Sequence, residues 1–183
     1  LQGHPELNTC PGIEMSTGAL GQGLSAGIGM ALGGRLKKKD FRVYVLLGDG
    51  ELNEGQVLEA AMLAPKYQLN NLVAIIDHNQ HALSGRTREI MPLEPLTDKW
   101  IAFGWHVIQV DGHKVDQLMN ALDKARETRE KPTVIIAQTV KARGISFLED
   151  KSESHATTMN RPEAEQALKE MGCTEQEIET ALS

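Results

Sequence analysis

Short apolar runs alternate along the chain with longer segments in which apolar residues recur every three or four positions. The run at 43–47 is continuously apolar, which is typical of a strand covered on both faces. Strands are predicted at 43–47, 72–76, 105–110 and 133–138. Helices are predicted between them at 18–38, 54–67 and 116–130. This alternation predicts an α/β fold with a mostly parallel sheet flanked by helices.

The first predicted helix, at 18–38, is rich in glycine and other small residues. So much glycine disfavours a helix, but Leu24, Ile28 and Leu32 recur at helical spacing. Small residues also allow a helix to approach its neighbour closely. We therefore predict a buried helix that begins near Ser16 or Thr17, since hydroxyl side chains favour helix N-termini.

The chain becomes more polar after Lys141, and residues 162–182 have the pattern of two acidic surface helices. We therefore predict an α/β domain over 1–160 and an acidic helical tail over 161–183.

Composition excludes several classes of protein. The 183 residues, 40% hydrophobic and 24% charged, suit one globular domain. The net charge of −6 argues against nucleic-acid and anionic-membrane partners, and no apolar run is long enough for a membrane span. Cys10 and Cys173 form no metal or disulfide pattern, which favours free thiols in the cytoplasm.

Polar residues follow two of the predicted strands. Gly48-Asp49-Gly50 ends the first apolar run, and Asn79 follows the second. Gly-Asp-Gly alone usually marks a simple turn. If the two strands are parallel neighbours, however, Asp49 and Asn79 reach the same edge of the sheet, where ligands of α/β proteins bind. A carboxylate, an amide and a nearby carbonyl oxygen suit Mg²⁺ or Ca²⁺, and the glycines and the next helix N-terminus allow a diphosphate to approach.

With its thirty-residue spacing, this pair resembles the thiamine diphosphate motif of the enzymes that use that cofactor. The surrounding sequence resembles transketolase: GHPE at 3–6, PGIEMSTGALGQGLSAGIGMA at 11–31 and GDGELNEGQVLEAAMLA at 48–64. The segment MPLEPLTDKWIAFGWHVIQVDGH at 91–113 is similar to the two-chain form of that enzyme. The resemblance covers the chain from Gly3 to about Met159.

The resemblance implies the diphosphate-binding domain of the thiamine diphosphate fold. It also implies transfer of a two-carbon ketol unit from a ketose phosphate to an aldose phosphate. The pyrimidine-binding domain would be a separate partner subunit, in a dimer or heterotetramer. Because the family's chain starts well before GHPE, we expect the sequence to be N-terminally incomplete and inactive alone.

The family's metal and diphosphate ligands map onto one stretch of this sequence. The resemblance implies that the side chains of Asp49 and Asn79 and the backbone carbonyl of His81 bind Mg²⁺. Gly48 and Gly50 would lie against the diphosphate.

The remaining matches lie outside that stretch. Gly18 and Leu20 would contact the cofactor near its rings, although Leu20 also suits the core. His4 would bind sugar hydroxyls, and His155 would contact diphosphate and substrate. Glu54 would lie at the subunit interface, linking two active sites, or serve only as a first-turn acid.

Two departures from the family are evident. Ser154-His155-Ala156 stands where the family usually has Trp-His-Gly, and His78, Gln80 and His81 are polar where relatives often carry apolar residues. Three further polar residues have no predicted role beyond surface or local pairing: His113, Lys141 and Arg143.

Other interpretations remain open at this point. The chain could belong to deoxyxylulose-phosphate synthase or a 2-oxoacid dehydrogenase component, although GHPE and TGALGQG argue against both. It could act on an unusual sugar. It could also be a non-catalytic remnant that serves in binding or assembly.

Overall fold

The structure, a computed structural model, describes residues 3–183. Its strands are β1 (Val43–Gly48), β2 (Leu72–His78), β3 (His81–Ala82), β4 (Gly85–Arg86), β5 (His106–Asp111) and β6 (Thr133–Gln138). Its helices are α1 (Gln22–Leu36), α2 (Gly55–Lys66), α3 (Thr87–Ile90), α4 (Leu96–Phe103), α5 (Val115–Glu127), α6 (Arg161–Glu170) and α7 (Glu175–Ala181). Two 3₁₀ turns span Gly50–Asn53 and Ser152–Ala156.

Four strands form one parallel sheet in the order β1-β2-β6-β5. This confirms the predicted fold class, since helices connect the parallel strands and flank the sheet. The small strands β3 and β4 pair separately as an antiparallel hairpin directly after β2. That hairpin, α3 and α4 are not predicted from the sequence. Within residues 3–183, none of the helices has the length and apolar content needed to cross a membrane.

The two faces of the sheet are covered unequally. Helices α1, α2 and α4 bury one face around Leu24, Leu47 and Trp100. Helix α5 packs on β5 and β6 and buries a smaller cluster on the other face. Because β1 is an edge strand and α5 packs mainly on β5 and β6, Tyr44 and Leu46 of β1 remain 44% and 72% exposed. The prediction that 43–47 is covered on both faces is therefore wrong.

Helix α1 begins later than predicted. Gly18 and Gly21 have φ values of 135° and 82°, which an α-helix does not allow, so the helix starts at Gln22. Ser16 does not cap it, because its Oγ accepts a hydrogen bond from the backbone of Leu7 at 2.9 Å. The segment before α1 is consequently a turn that faces the end of β1.

Glycine allows α1 to lie directly on the sheet. A Cβ added at Gly27 would lie 2.5 Å from Val45 Cγ2, whereas one added at Gly29 would meet nothing within 4 Å. We expect Gly27→Ala to destabilise the fold by about 1–3 kcal/mol through overpacking. Gly29→Ala, the matched control, should stabilise the helix by up to about 1 kcal/mol. Urea unfolding followed by circular dichroism measures both; equal stability of the two variants would contradict this account of the packing.

The C-terminal segment forms α6 and α7, as predicted. Each helix begins with a capping box, formed by Asn160 with Glu163 and by Thr174 with Glu177. The two helices contact each other and bury Ala167 and Ile178. The division of the chain at residue 160 stays a prediction.

Candidate functional site at the carboxyl end of the sheet

The register of β1 and β2 places their polar ends side by side. Gly48 pairs with Asp77, and the Asp49 amide donates to the Asp77 carbonyl at 3.2 Å. Asp49 and Asn79, thirty positions apart in sequence, thus leave the sheet at the same edge. The arrangement predicted for these two residues is present.

Asp49 is buried, with only 1% of its surface exposed. One carboxylate oxygen accepts the Gly50 amide at 2.7 Å, and the other accepts the Gln80 amide. Burial raises the pKa of this carboxyl above its ordinary value. Across residues 3–183, no lysine, arginine or histidine forms an ion pair with Asp49. A buried carboxylate without a protein cation is suited to a bound metal ion.

Asn79 is 9% exposed and is held on both sides of its amide. Its Nδ2 donates to Asp77 Oδ2 at 2.9 Å, and its Oδ1 accepts the His81 amide at 2.9 Å. The Thr139 hydroxyl donates to the other oxygen of Asp77. Asp77 therefore orients Asn79, a role that the sequence analysis did not assign.

Gly50 brings the loop after β2 close to the turn after β1. A Cβ added at Gly50 would lie 3.1 Å from Ala82 Cα and 3.7 Å from the His81 carbonyl oxygen. That carbonyl is the third oxygen predicted to bind the metal. Glycine at position 50 allows the two loops to approach closely, because a Cβ there would crowd Ala82. At Gly48 an added Cβ would meet nothing within 4 Å, so space is open beside that residue.

The Asp49 carboxylate, the Asn79 amide and the His81 carbonyl provide the oxygen donors that Mg²⁺ and Ca²⁺ prefer. The described part of the chain contains no cluster of three or more histidine, cysteine, aspartate or glutamate side chains that could hold a metal. The proposed donor set is of a different kind, because only Asp49 contributes a charged side chain and the other two oxygens come from an amide and the backbone.

The glycine turn before α1 lies next to this edge through Glu51, which the sequence analysis did not single out. Its carboxylate accepts the Gly21 amide at 2.8 Å and the Gly48 amide at 3.2 Å. Glu51 stands in the 3₁₀ turn that separates Asp49 from α2. In sequence it cannot be distinguished from a solvated acid, because its partners are thirty and three residues away.

The structure brings His4 to the same turn. A Cβ added at Gly18 would lie 2.6 Å from His4 Cδ2, so the imidazole packs directly on that glycine. Leu20 is 60% exposed and is not a core residue. Glu54 precedes α2, is exposed and packs its Cβ against Gly21.

A cavity of about 470 Å³ opens beside Asn79. It is lined by Asp77, Asn79, His113, Thr139, Val140, Lys141, Ala142 and Ser154. The exposed His155 belongs to the Ser152–Ala156 turn, and its Nδ1 lies 3.4 Å from Lys141 Nζ. The lining of the cavity therefore includes both oxygen donors and a cationic lysine. His113 accepts the Val140 amide at 2.7 Å, which is the local pairing expected for it.

Comparison with known proteins shows similarity to transketolases. A family profile described as "Transketolase, thiamine diphosphate binding domain" matches residues 1–181. An apulose-4-phosphate transketolase subunit of Phocaeicola vulgatus is 43% identical over 171 residues, 93% of this chain and 60% of that protein. The 6-deoxy-6-sulfo-D-fructose transketolase subunit SqwG of a Clostridium species is 46% identical over 155 residues, 85% of this chain and 56% of that protein.

A solved structure shows the same fold. Transketolase of Pichia stipitis in complex with sedoheptulose 7-phosphate superimposes with a TM-score of 0.83 and 30% identity. The match covers 98% of this chain and 29% of that one. The chain thus spans less than two thirds of these relatives. It belongs to the transketolase family, where it corresponds to the thiamine diphosphate-binding domain.

Proposed function

We propose that this chain is the diphosphate-binding half of an enzyme that moves a two-carbon ketol unit from a ketose phosphate to an aldose phosphate. The observation that carries the proposal is the cluster of Asp49, Asn79 and the His81 carbonyl beside an open cavity. Calorimetric titration with thiamine diphosphate, in the presence and absence of Mg²⁺, tests it directly.

The metal in this proposal is Mg²⁺, with Ca²⁺ as the alternative. Asp49 supplies the charge, Asn79 and the His81 carbonyl supply neutral oxygens, and the diphosphate completes the shell. Asp77 holds the Asn79 amide, so the ligand set is oriented before the metal arrives.

The diphosphate would lie along Gly48 and Gly50, where the backbone is accessible. Lys141 lines the cavity and would offset the diphosphate charge, and His155 lies beside Lys141. When bound, thiamine diphosphate supplies the nucleophilic carbon of its thiazolium ring. This chain anchors the cofactor and keeps its diphosphate end fixed.

The other side of the site would bind the sugar and the cofactor rings. Gly18 and Leu20 would lie near the rings, and His4, packed on Gly18, would donate hydrogen bonds to sugar hydroxyls. The substrates that we propose are anionic sugars. Relatives named for apulose 4-phosphate and 6-deoxy-6-sulfo-D-fructose define the first donors to test.

A pyrimidine-binding partner subunit would complete the site. Two of the relatives are named as subunits, which supports a hetero-oligomer, either a dimer or a heterotetramer. We propose that this hetero-oligomer lies in the cytoplasm. Three apolar side chains are exposed in this part of the molecule: Leu20, Leu58 and Met62. Leu58 and Met62 lie one turn apart on α2, the helix that follows Glu54. An exposed apolar surface of this kind is typical of a protein interface.

Replacing Lys141 provides a test of the diphosphate end of the site. We expect Lys141→Met to weaken thiamine diphosphate binding on the order of tenfold, because a charge-assisted contact to the diphosphate is lost. Binding of thiamine, which lacks the diphosphate, should not change. Lys169→Met on α6 removes the same charge away from the cavity and serves as the control in the same calorimetric titrations. An equal loss of affinity for thiamine and its diphosphate would contradict this role of Lys141.

A further inference from the structure

The backbone and the side chain of His81 have different partners. The carbonyl approaches Gly50, as described above, but the imidazole contacts a segment about seventy residues later. Its Nδ1 lies 2.7 Å from Ser152 Oγ, and its Nε2 lies 3.0 Å from Asp150 Oδ1. The side chain is only 2% exposed. Because both ring nitrogens are engaged in a buried position, the orientation of the imidazole is determined.

Arg86 joins the same group of residues. It pairs with His81 across the β3–β4 hairpin, and its guanidinium donates to the second oxygen of Asp150. We refer to His81, Arg86, Asp150 and Ser152 as the His81 cluster. It connects the loop that carries two of the proposed metal ligands to the chain after β6.

The segment held in this way leads directly into the cavity. Ser152 begins the 3₁₀ turn that contains Ser154, a cavity residue, and His155, which lies next to Lys141. Among the described residues, the other hydrogen bonds of the 152–156 turn go to Lys141 and Lys151, which are close in sequence. The hydrogen bond between His81 and Ser152 is the one that joins the turn to a distant part of the chain. The His81 cluster therefore connects the turn that carries His155 to the loop after β2.

We propose that the imidazole of His81 is a positioning residue that holds the Ser152–Ala156 turn against the cofactor site. In this way one residue serves the site twice, through its carbonyl at the metal and through its side chain at the turn that carries His155. The inference has two halves, an effect on the turn and an effect on cofactor binding, and the second half rests on the proposed function. Its first half, the effect on the turn, can be measured without any ligand.

Hydrogen exchange of the cofactor-free chain tests the first half. His81→Leu keeps the backbone carbonyl and fills most of the space but makes no hydrogen bond. We expect the amides of 152–156 to exchange at least about tenfold faster, since the turn opens more readily. Ser152→Ala should act in the same direction, and the double variant should match His81→Leu because both changes remove the same bond. Glu153→Ala, an exposed change in the same turn, is the control.

Calorimetry with thiamine diphosphate and Mg²⁺ tests the second half. We expect His81→Leu to weaken cofactor binding about tenfold while the requirement for Mg²⁺ persists, since the carbonyl is retained. Unchanged exchange at 152–156, or faster exchange with unchanged cofactor affinity, would overturn the inference. If His81→Leu does not fold, Ser152→Ala decides both measurements. A wild-type chain that binds no cofactor would refute the proposed function instead, and the exchange comparison would still stand.

Discussion

Replacing Asp49 by alanine is expected to abolish Mg²⁺-dependent binding of thiamine diphosphate. Asp49 is the one charged side chain among the three proposed metal ligands, and it is buried without an ion-pair partner among residues 3–183. Loss of a residue that only orients a metal ligand typically weakens metal binding about 10–100-fold, so loss of this direct ligand should exceed about 100-fold. Isothermal titration calorimetry of the chain with cofactor and Mg²⁺ measures the effect.

Two further variants separate the charge from the fold. Asp49→Asn retains the shape of the side chain but not its charge, and it should lose metal binding almost as fully as alanine. Asp40→Ala, an exposed change before β1, should bind like the wild type. Thermal unfolding without ligands shows whether either Asp49 variant is folded. Cofactor binding that survives in a folded Asp49→Ala protein would rule out this metal site.

The second large effect is expected from reconstitution with a partner. The chain by itself should show no detectable ketol transfer, and mixing it with a pyrimidine-binding transketolase subunit should raise the rate by several orders of magnitude. The physical reason is that, in the proposed function, a separate partner subunit binds the pyrimidine ring of the cofactor, so the site is incomplete in this chain alone. This chain then supplies the diphosphate end of the site and part of the sugar-binding surface.

A donor panel makes the reconstitution informative about substrate as well. Apulose 4-phosphate, 6-deoxy-6-sulfo-D-fructose and sedoheptulose 7-phosphate are the sugars named for similar proteins. Each is tested with an aldose phosphate acceptor, and product sugars are followed by mass spectrometry. Mixtures that contain Asp49→Ala serve as the inactive control. A partner that binds the chain without producing activity would favour the non-catalytic remnant, whereas turnover by the chain alone would contradict the divided site.

Much of the fold and part of the site could be predicted from local sequence. The four sheet strands lie within two residues of their predicted ends, because short apolar runs have few other stable conformations in a folded domain. Glycine produced the clearest local error. Gly18 and Gly21 lie within the segment predicted as helix, but both have positive φ values, so this segment forms a turn and α1 begins at Gln22.

The proximity of Asp49 and Asn79 follows from sequence alone once β1 and β2 are taken as parallel neighbours, because parallel strands end at one edge of the sheet. The donor set is also readable from residue types, since carboxylate and amide oxygens suit a hard cation. What only the tertiary structure decided are contacts between remote segments: the imidazole of His81 at Ser152, the Glu51 carboxylate between two glycine turns, Lys141 in the cavity and the open face at Leu46. These contacts depend on which distant elements pack together, and that choice leaves no periodic or local pattern in the sequence.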